Sequence, residues 1–298
     1  MQTLESLKRS IDSAVDLASV VRTMKTLAAV SIRQYEMAVE SLGDYFQTIE
    51  DGFAILLWHM ENTPQLASPD GHHRTGAVVF GSDQGMCGQF NEQISAYAHD
   101  LMTEADHQQS NWPVICVGSR VAGRMEDRHH KVDAVLPVAG SSSAITSAVQ
   151  DLLSELQDWR TKKRLGRIVL FYNQRRSVSS YQPGHIELLP LSPQRLAELR
   201  PAKWPSRTLP TFSMESDVLL SRLVRQYLFV SLFRAMAESL AGENASRIAS
   251  MQAAEKNIQE RLAELSTAYN QRRQTAITEE LLDVVTGFEA LMTDPAQS

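Results

Sequence analysis

The sequence predicts an α/β protein in which a long antiparallel coiled coil of N- and C-terminal helices is joined to a Rossmann-like α/β domain. Two observations carry that prediction. Each end of the chain bears an apolar ladder at helical spacing that is too long for a compact core, and the middle alternates short apolar runs with amphipathic stretches.

The first ladder climbs in steps of three and four from Leu4, Leu7 and Ile11 through Val21, Lys25, Ala28, Ile32 and Tyr35 to Phe53, Leu56 and Met60. Lys25 is its one polar rung, and no proline occurs before Pro64. An uninterrupted helix from Leu4 to Met60 is about 85 Å long at about 1.5 Å per residue. Turn formers in the segment Asn62–Gly76 end it. Short apolar runs follow at Ala77–Phe80, Pro113–Val117, Val132–Val138, Arg167–Tyr172 and Ile186–Leu189, with helical patterns at Phe90–Ala105, Ser119–Asp127 and Ser143–Lys162 between them. Strands alternating with helices imply a mostly parallel sheet.

A second loop-rich patch, Pro201–Pro210, precedes the C-terminal ladder. That ladder runs from Leu220, Leu223 and Tyr227 through Arg234, Asn244, Met251, Glu255 and Ile258 to Tyr269, then shifts phase and resumes at Ile277, Leu281, Val284, Phe288 and Leu291. The expected division is 1–62 for the N-terminal coiled-coil helix, 70–210 for the α/β domain, and 214–294 for the C-terminal helix with a lone tip. Because the first helix enters the domain where the last one leaves it, the two pair antiparallel. Setting Met60 against about residue 217 leaves the C-terminal helix unpaired from about Ile277 onward. The same register places Lys25 within one turn of Glu255. Either this lysine and glutamate meet across the seam and fix its register, or both snorkel outward from a loosened one. The small residues Ser231, Ala235, Ser239, Gly242, Ala245, Ala249 and Ala253 either admit the close approach of a third element or are alanine-rich filler.

Composition narrows the function. The chain has 298 residues, is 43% hydrophobic and carries a formal charge of −6 with a pI near 5.8. That balance disfavours a general nucleic-acid binder. Cys87 and Cys116 lack CxxC spacing, which points to neither a zinc site nor a disulfide framework and favours a reducing compartment. No stretch of the N-terminus reads as a secretory signal and no window reaches eighteen apolar residues, so any membrane association is expected to run through partners.

The most pointed motif is GSDQGMCGQFN, Gly81–Asn91, between the first strand and its helix. Glycines here suit a phosphate, but the spacing is GxxxGxxG and no Walker Lys-Ser or Lys-Thr follows, which favours a tight structural or partner-contact loop. Ser82 lacks the GxSxG elbow of a nucleophile. The pairs His72–His73 and His129–His130 lack a converging carboxylate or thiolate. Cys87, next to a helix start, is either a thiol of somewhat lowered pKa or a small residue filling a crowded turn. In Tyr269–Leu291, the side chains of Arg272, Arg273, Gln274 and Thr278 crowd the phase break, as a solvated face or as groups that hydrogen-bond a surrounding protein.

Three segments resemble the gamma subunit of F-type rotary ATP synthases. Thr23–Arg33 (TMKTLAAVSIR) looks like the family's AMEMVAASK helix, Gly81–Asn91 is similar to its GSDRGLCGGFN loop, and Tyr269–Leu291 resembles its YNKARQAAITQEI signature. The resemblance implies a rotor shaft without an active site or cofactor of its own, present in one copy per complex. Its partners are then the hexamer of alpha and beta subunits, the epsilon subunit and the membrane c-ring. The implied location is the cytoplasmic face of the bacterial inner membrane, peripheral through the complex.

Carried over by position, Arg273 and Gln274 match an Arg-Gln pair that contacts a catch loop of a beta subunit. Thr278 lies on the same helical segment. Met24 matches a methionine near the hexamer rim, and Cys87 matches the loop cysteine. Departures are Lys25 in place of an acidic residue, Gln84 with Met86 in place of Arg-Leu, and a basic cluster thinned to Arg33. The expected partner-contact set is therefore Arg273, Gln274, Thr278, Met24, Lys25, Gln84 and Cys87. Two other classes compete: a Rossmann-like enzyme that dimerises through its terminal helices, and a passive coiled-coil scaffold.

Overall fold

In the computed structural model, residues 3–60, 74–105, 112–177, 180–191, 196, 198–199, 208 and 210–292 are described. The turn-rich segment expected at 62–76 and the loop patch at 201–210 fall largely outside them, as do His72 and His73. Contacts divide the chain into two units, one formed by residues 1–27 with 250–298 and the other by 28–249.

The elements in order are α1 (Leu4–Ser41), α2 (Gly43–His59), β1 (Thr75–Phe80), α3 (Phe90–Ala105), β2 (Val114–Val117), α4 (Ser119–Asp127), β3 (Val132–Leu136), a 3₁₀ turn (Ser142–Ala144), α5 (Ile145–Lys162), β4 (Arg167–Ser177), β5 (Ser180–Leu189) and α6 (Ser216–Met292). The expected single helix from Leu4 to Met60 is thus two. Leu42 bonds back only to Val39 at i−3, at 3.2 Å, and the Ser41 hydroxyl takes the Ala38 carbonyl at 2.9 Å. At this junction a hydroxyl bonded back onto its own helix is followed closely by Gly43, with its low helix propensity.

In the unit 28–249, the sheet order is β3-β2-β1-β4-β5, parallel except for the antiparallel β4–β5 pair. Strand periodicity sorts its side chains onto two faces. Val78, Phe80, Ile115, Val117, Ile168 and Leu170 pack against α5, through Val149, Leu152 and Trp159, and against α6, through Leu232, Met236 and Leu240. Ala77, Val79, Val114, Cys116, Val169 and Phe171 point the other way, onto Ile94 and Met102 of α3 and Val121 and Met125 of α4. A third cluster joins Ile49, Phe53, Leu56 and Leu57 of α2 to Leu220 and Val230 of α6.

Residues 235–244 of α6 are buried without interruption, because the sheet covers the side of the helix that a two-helix seam leaves open. Small residues make this possible. A Cβ on Gly242 meets the Tyr181 ring at 3.1 Å, and Ala235 and Ser239 are 0% and 2% exposed. Ala253 is exposed, so the small residues serve close approach in the middle of the stripe and are filler at its end.

In the other unit, α1 and α6 pair through Val21, Met251 and Ile258, with Ala14, Ala18, Met24 and Leu262 beside them. The alternation of three and four steps keeps these side chains facing one another. No described helix is long and apolar enough to cross a membrane.

Candidate functional surfaces on the paired helices and the domain loop

The seam carries one polar interaction where the sequence places Lys25. Its Nζ donates to Glu255 Oε2 at 2.5 Å, and Arg22 Nε lies 3.8 Å from the other carboxylate oxygen. Both partners are partly covered, with side chains 31% and 19% exposed. The bond from Lys25, together with its charge and that of Arg22, holds the Glu255 carboxyl below its ordinary range. The two residues therefore meet across the seam; the snorkelling alternative is excluded. Arg22, the second cation on the same carboxylate, sits on no ladder position and was invisible to a reading of the apolar stripe. Met24 is half-buried and packs on the seam cluster.

Beyond Leu265, the last buried seam residue, α6 opens to solvent. Every residue from Ile277 to Glu289 is exposed, including Ile277, Leu281, Val284 and Phe288 at 48%, 61%, 67% and 59%. This exposed segment begins at Ile277. Arg273 and Gln274 are exposed at its base, and Arg273 has no ion pair among the described residues. The Thr278 hydroxyl donates to the Gln274 carbonyl at 2.9 Å, so its own helix occupies its proton. This helix presents apolar groups around more than one face with a polar collar beneath them, a combination that requires cover in water.

The loop Gly81–Asn91 is braced from within. Asp83 accepts from the backbone N–H groups of Ser119 at 2.8 Å and Val138 at 2.7 Å. Asn91 Oδ1 takes the Ser82 N–H at 2.9 Å, and its Nδ2 donates to the Ser82 hydroxyl at 2.7 Å. A Cβ on Gly81 comes within 2.3 Å of Val121 Cβ and 2.7 Å of Asn91 Oδ1, so only glycine fits. The Ser82 N–H and the Asn91 amide are committed to these contacts, which makes the loop a structural brace. The Cys87 carbonyl accepts from Ser246 of α6 at 2.7 Å, and the thiol, 2% exposed, has its pKa pushed up by burial. Its reading as a filler of a crowded turn stands; the lowered pKa does not. Gln84 and Met86 point outward at the loop's tip.

Beneath this loop, Glu243 and Arg247 form a buried pair, with Arg247 also donating to Asn244 Oδ1 at 3.1 Å. Burial raises the Glu243 carboxyl, against the pull of Arg247. The ladder treats Asn244 as an isolated polar rung, and only the helix context at i,i+3 and i,i+4 reveals the network. Elsewhere, His130 pairs with His99 at 2.9 Å, away from His129. No cluster of three or more metal-ligating side chains occurs among the described residues.

The family described as ATP synthase matches residues 3–291. The chain belongs to this ATP synthase family. Curated relatives that span the same length are ATP synthase gamma chains: one from Syntrophus aciditrophicus is 29% identical over 295 residues, covering 98% of this chain and 99% of the relative. Another, from Granulibacter bethesdensis, is 27% identical over 300 residues, covering 98% and 100%. Among solved structures, a chain of the Euglena gracilis mitochondrial ATP synthase, in an assembly of OSCP, F1 and c-ring, superposes with a TM-score of 0.67 at 15% identity. The match covers 99% of this chain and 97% of that one. A Tetrahymena thermophila mitochondrial central-stalk and c-ring structure matches with a TM-score of 0.55 at 18% identity over 79% of this chain and 99% of that one. This ATP synthase family member thus shares its fold with those solved chains.

Proposed function

We propose that this chain is the gamma-type central rotor shaft of an F-type ATP synthase. It transmits torque between an ion-translocating membrane ring and a catalytic hexamer of alpha and beta subunits, and it has no catalytic site of its own. One copy works per complex, with an epsilon subunit and the c-ring at the foot, on the cytoplasmic face of a bacterial inner membrane.

The observation that carries the reading is the exposed segment Ile277–Glu289. A helix with Ile277, Leu281, Val284 and Phe288 in solvent calls for an apolar sleeve made by other chains. A homodimer burying the same stripe needs only one face, whereas Leu282 and Val285 are also exposed, at 58% and 50%. Arg273 and Gln274, below that stripe, are the groups that meet a beta subunit, with Thr278 one turn further along and bonded back to the Gln274 carbonyl. Met24 and Lys25 act through the seam they stabilise, near the rim. Gln84 is the loop's contact with a neighbouring subunit, and Cys87 supports it from inside by way of Ser246.

Native co-purification of the tagged chain tests the proposal. The expected result is an ATPase with three copies each of two larger chains for one of this chain. A stable homodimer with its own catalytic activity overturns it.

A further inference from the structure

The break between α1 and α2 opens into a cavity of about 620 Å³, walled by both helices, by β4 and β5 and by α6. A volume of this order is ordinary for a small-molecule pocket, as is a mostly apolar wall with a few placed polar groups. Here the apolar wall is aromatic: Phe46, Tyr172 and Tyr227 all line it. Its charged groups are Glu40, Glu187, Glu238 and Arg234.

The charges do not balance. Arg234 Nε donates to Glu238 Oε1 at 2.7 Å, and Arg167 holds Glu187 through two bonds of 3.0 and 3.3 Å. Glu40 has no ion pair among the described residues, so one carboxylate at this wall is left without a cation. Glu238 and Tyr172 are only 8% and 5% exposed, which places polar oxygens of both within a poorly hydrated wall. Burial, followed by the nearby Glu238, pushes the Tyr172 phenol up to about 12. It therefore stays neutral and remains a hydrogen-bond donor at neutral pH.

We infer that this cavity binds a small organic cation, an ammonium group carried on an aromatic or aliphatic body. Aromatic faces attract a cation through their quadrupole. Glu40 supplies the compensating charge, and the apolar wall covers the ligand's body. An anion meets uncompensated carboxylate instead, and a neutral analogue forgoes both terms. Because Val39, Gly43 and Phe46 lie on opposite sides of the break and Tyr227 on α6, the occupant bridges three helical segments and stiffens the break. This site does not depend on the rotor reading, and its test involves no other subunit.

The full chain is titrated calorimetrically with phenylbutylammonium chloride, phenylbutanol and sodium phenylbutyrate. The expected result is saturable one-to-one binding of the ammonium, about tenfold weaker binding of the alcohol, a difference of about 1.4 kcal/mol, and none of the carboxylate. Glu40→Gln, on an exposed side chain, lowers the ammonium affinity severalfold and leaves the melting temperature of the free chain unchanged. Ser231→Trp, which fills the cavity from α6, abolishes binding. If that variant fails to fold, Glu40→Gln alone decides. Equal affinity for all three compounds, unsaturable uptake, no ammonium binding, or an ammonium affinity indifferent to Glu40→Gln each overturns the inference.

Discussion

Ile258→Ala probes the seam where α1 and α6 pair. Ile258 is 9% exposed and packs in the cluster with Val21 and Met251. Truncation removes three buried carbons, and at about 0.8 kcal/mol per methylene the loss is about 2 kcal/mol. The cavity term that enlarges such losses in a closed core is small here, because a two-helix seam is open to solvent on both flanks. The assay is amide exchange, read by mass spectrometry on the assembled complex. A local opening free energy lower by about 2 kcal/mol accelerates exchange by about thirtyfold across the paired segments within 3–27 and 250–272. Protection of the sheet strands stays unchanged. In the same preparation, ion-driven ATP synthesis declines before ATP hydrolysis does, since a loosened seam loses torque before it loses contact with the catalytic subunits. Unchanged exchange in the paired segments refutes the packing account, and a parallel loss of synthesis and hydrolysis refutes the link from seam stiffness to coupling.

The ion pair in the same seam predicts a pH dependence. Lys25 holds the Glu255 carboxyl below its ordinary value of about 4.3, so the pair's contribution is complete above that value and is lost as pH falls through the lowered native one. Seam protection measured from pH 6 to pH 3 should fall more steeply in the wild type than in Glu255→Gln, and identical profiles count against the pair. Gly81→Ala, whose Cβ meets Val121 Cβ at 2.3 Å, should destabilise the α/β unit by about 1–3 kcal/mol. Thermal melts read the loss directly, and an unshifted melt rejects the clash. Arg273→Ala should leave the melting of the chain unchanged, because Arg273 is exposed, yet slow ATP hydrolysis by the assembled complex. A normal rate removes Arg273 from the contact set.

Legibility followed the range of the forces. The apolar ladders state which faces pair and hence where pairing stops: Leu265 is buried, and everything from Ile277 to Glu289 is exposed. AVVF and VICV read only as continuous apolar runs, which marks strands buried on both faces; that Val78 and Val79 end in different cores follows from the sheet. The break at Leu42 escaped that reading because it falls inside an otherwise regular stripe, where the local features are a Ser41 hydroxyl on the Ala38 carbonyl and a neighbouring glycine. The site was harder still. The spacing of GSDQGMCGQFN argued against a nucleotide, but that Asp83 braces two distant N–H groups and Ser246 reaches the Cys87 carbonyl depends on which strands neighbour one another. The assignment of Arg273 and Gln274 as contacts rests on the resemblance; their pattern alone left a solvated face and a partner-facing one both open.

The loop and the seam solve one mechanical problem by different means. A long helix is easily bent, so a chain that carries torque must tie it down wherever load enters. Within the unit 28–249, α6 is wrapped for ten residues by sheet and helices, and the loop adds a directional tie from Ser246 to the Cys87 carbonyl above the buried Glu243–Arg247 pair. Because that pair lies within α6 at i,i+4, it neutralises two buried charges on the helix itself and leaves the position of α6 to packing and to the Ser246 tie. In the paired-helix unit no third layer occurs among the described residues, and apolar packing alone permits sliding by a heptad. Lys25, Arg22 and Glu255 remove that freedom: a slip of one turn of about 5.4 Å breaks the 2.5 Å bond while the apolar contacts find substitutes. Placing the polar group in the seam, at some expense to burial, is the arrangement expected where register matters more than stability.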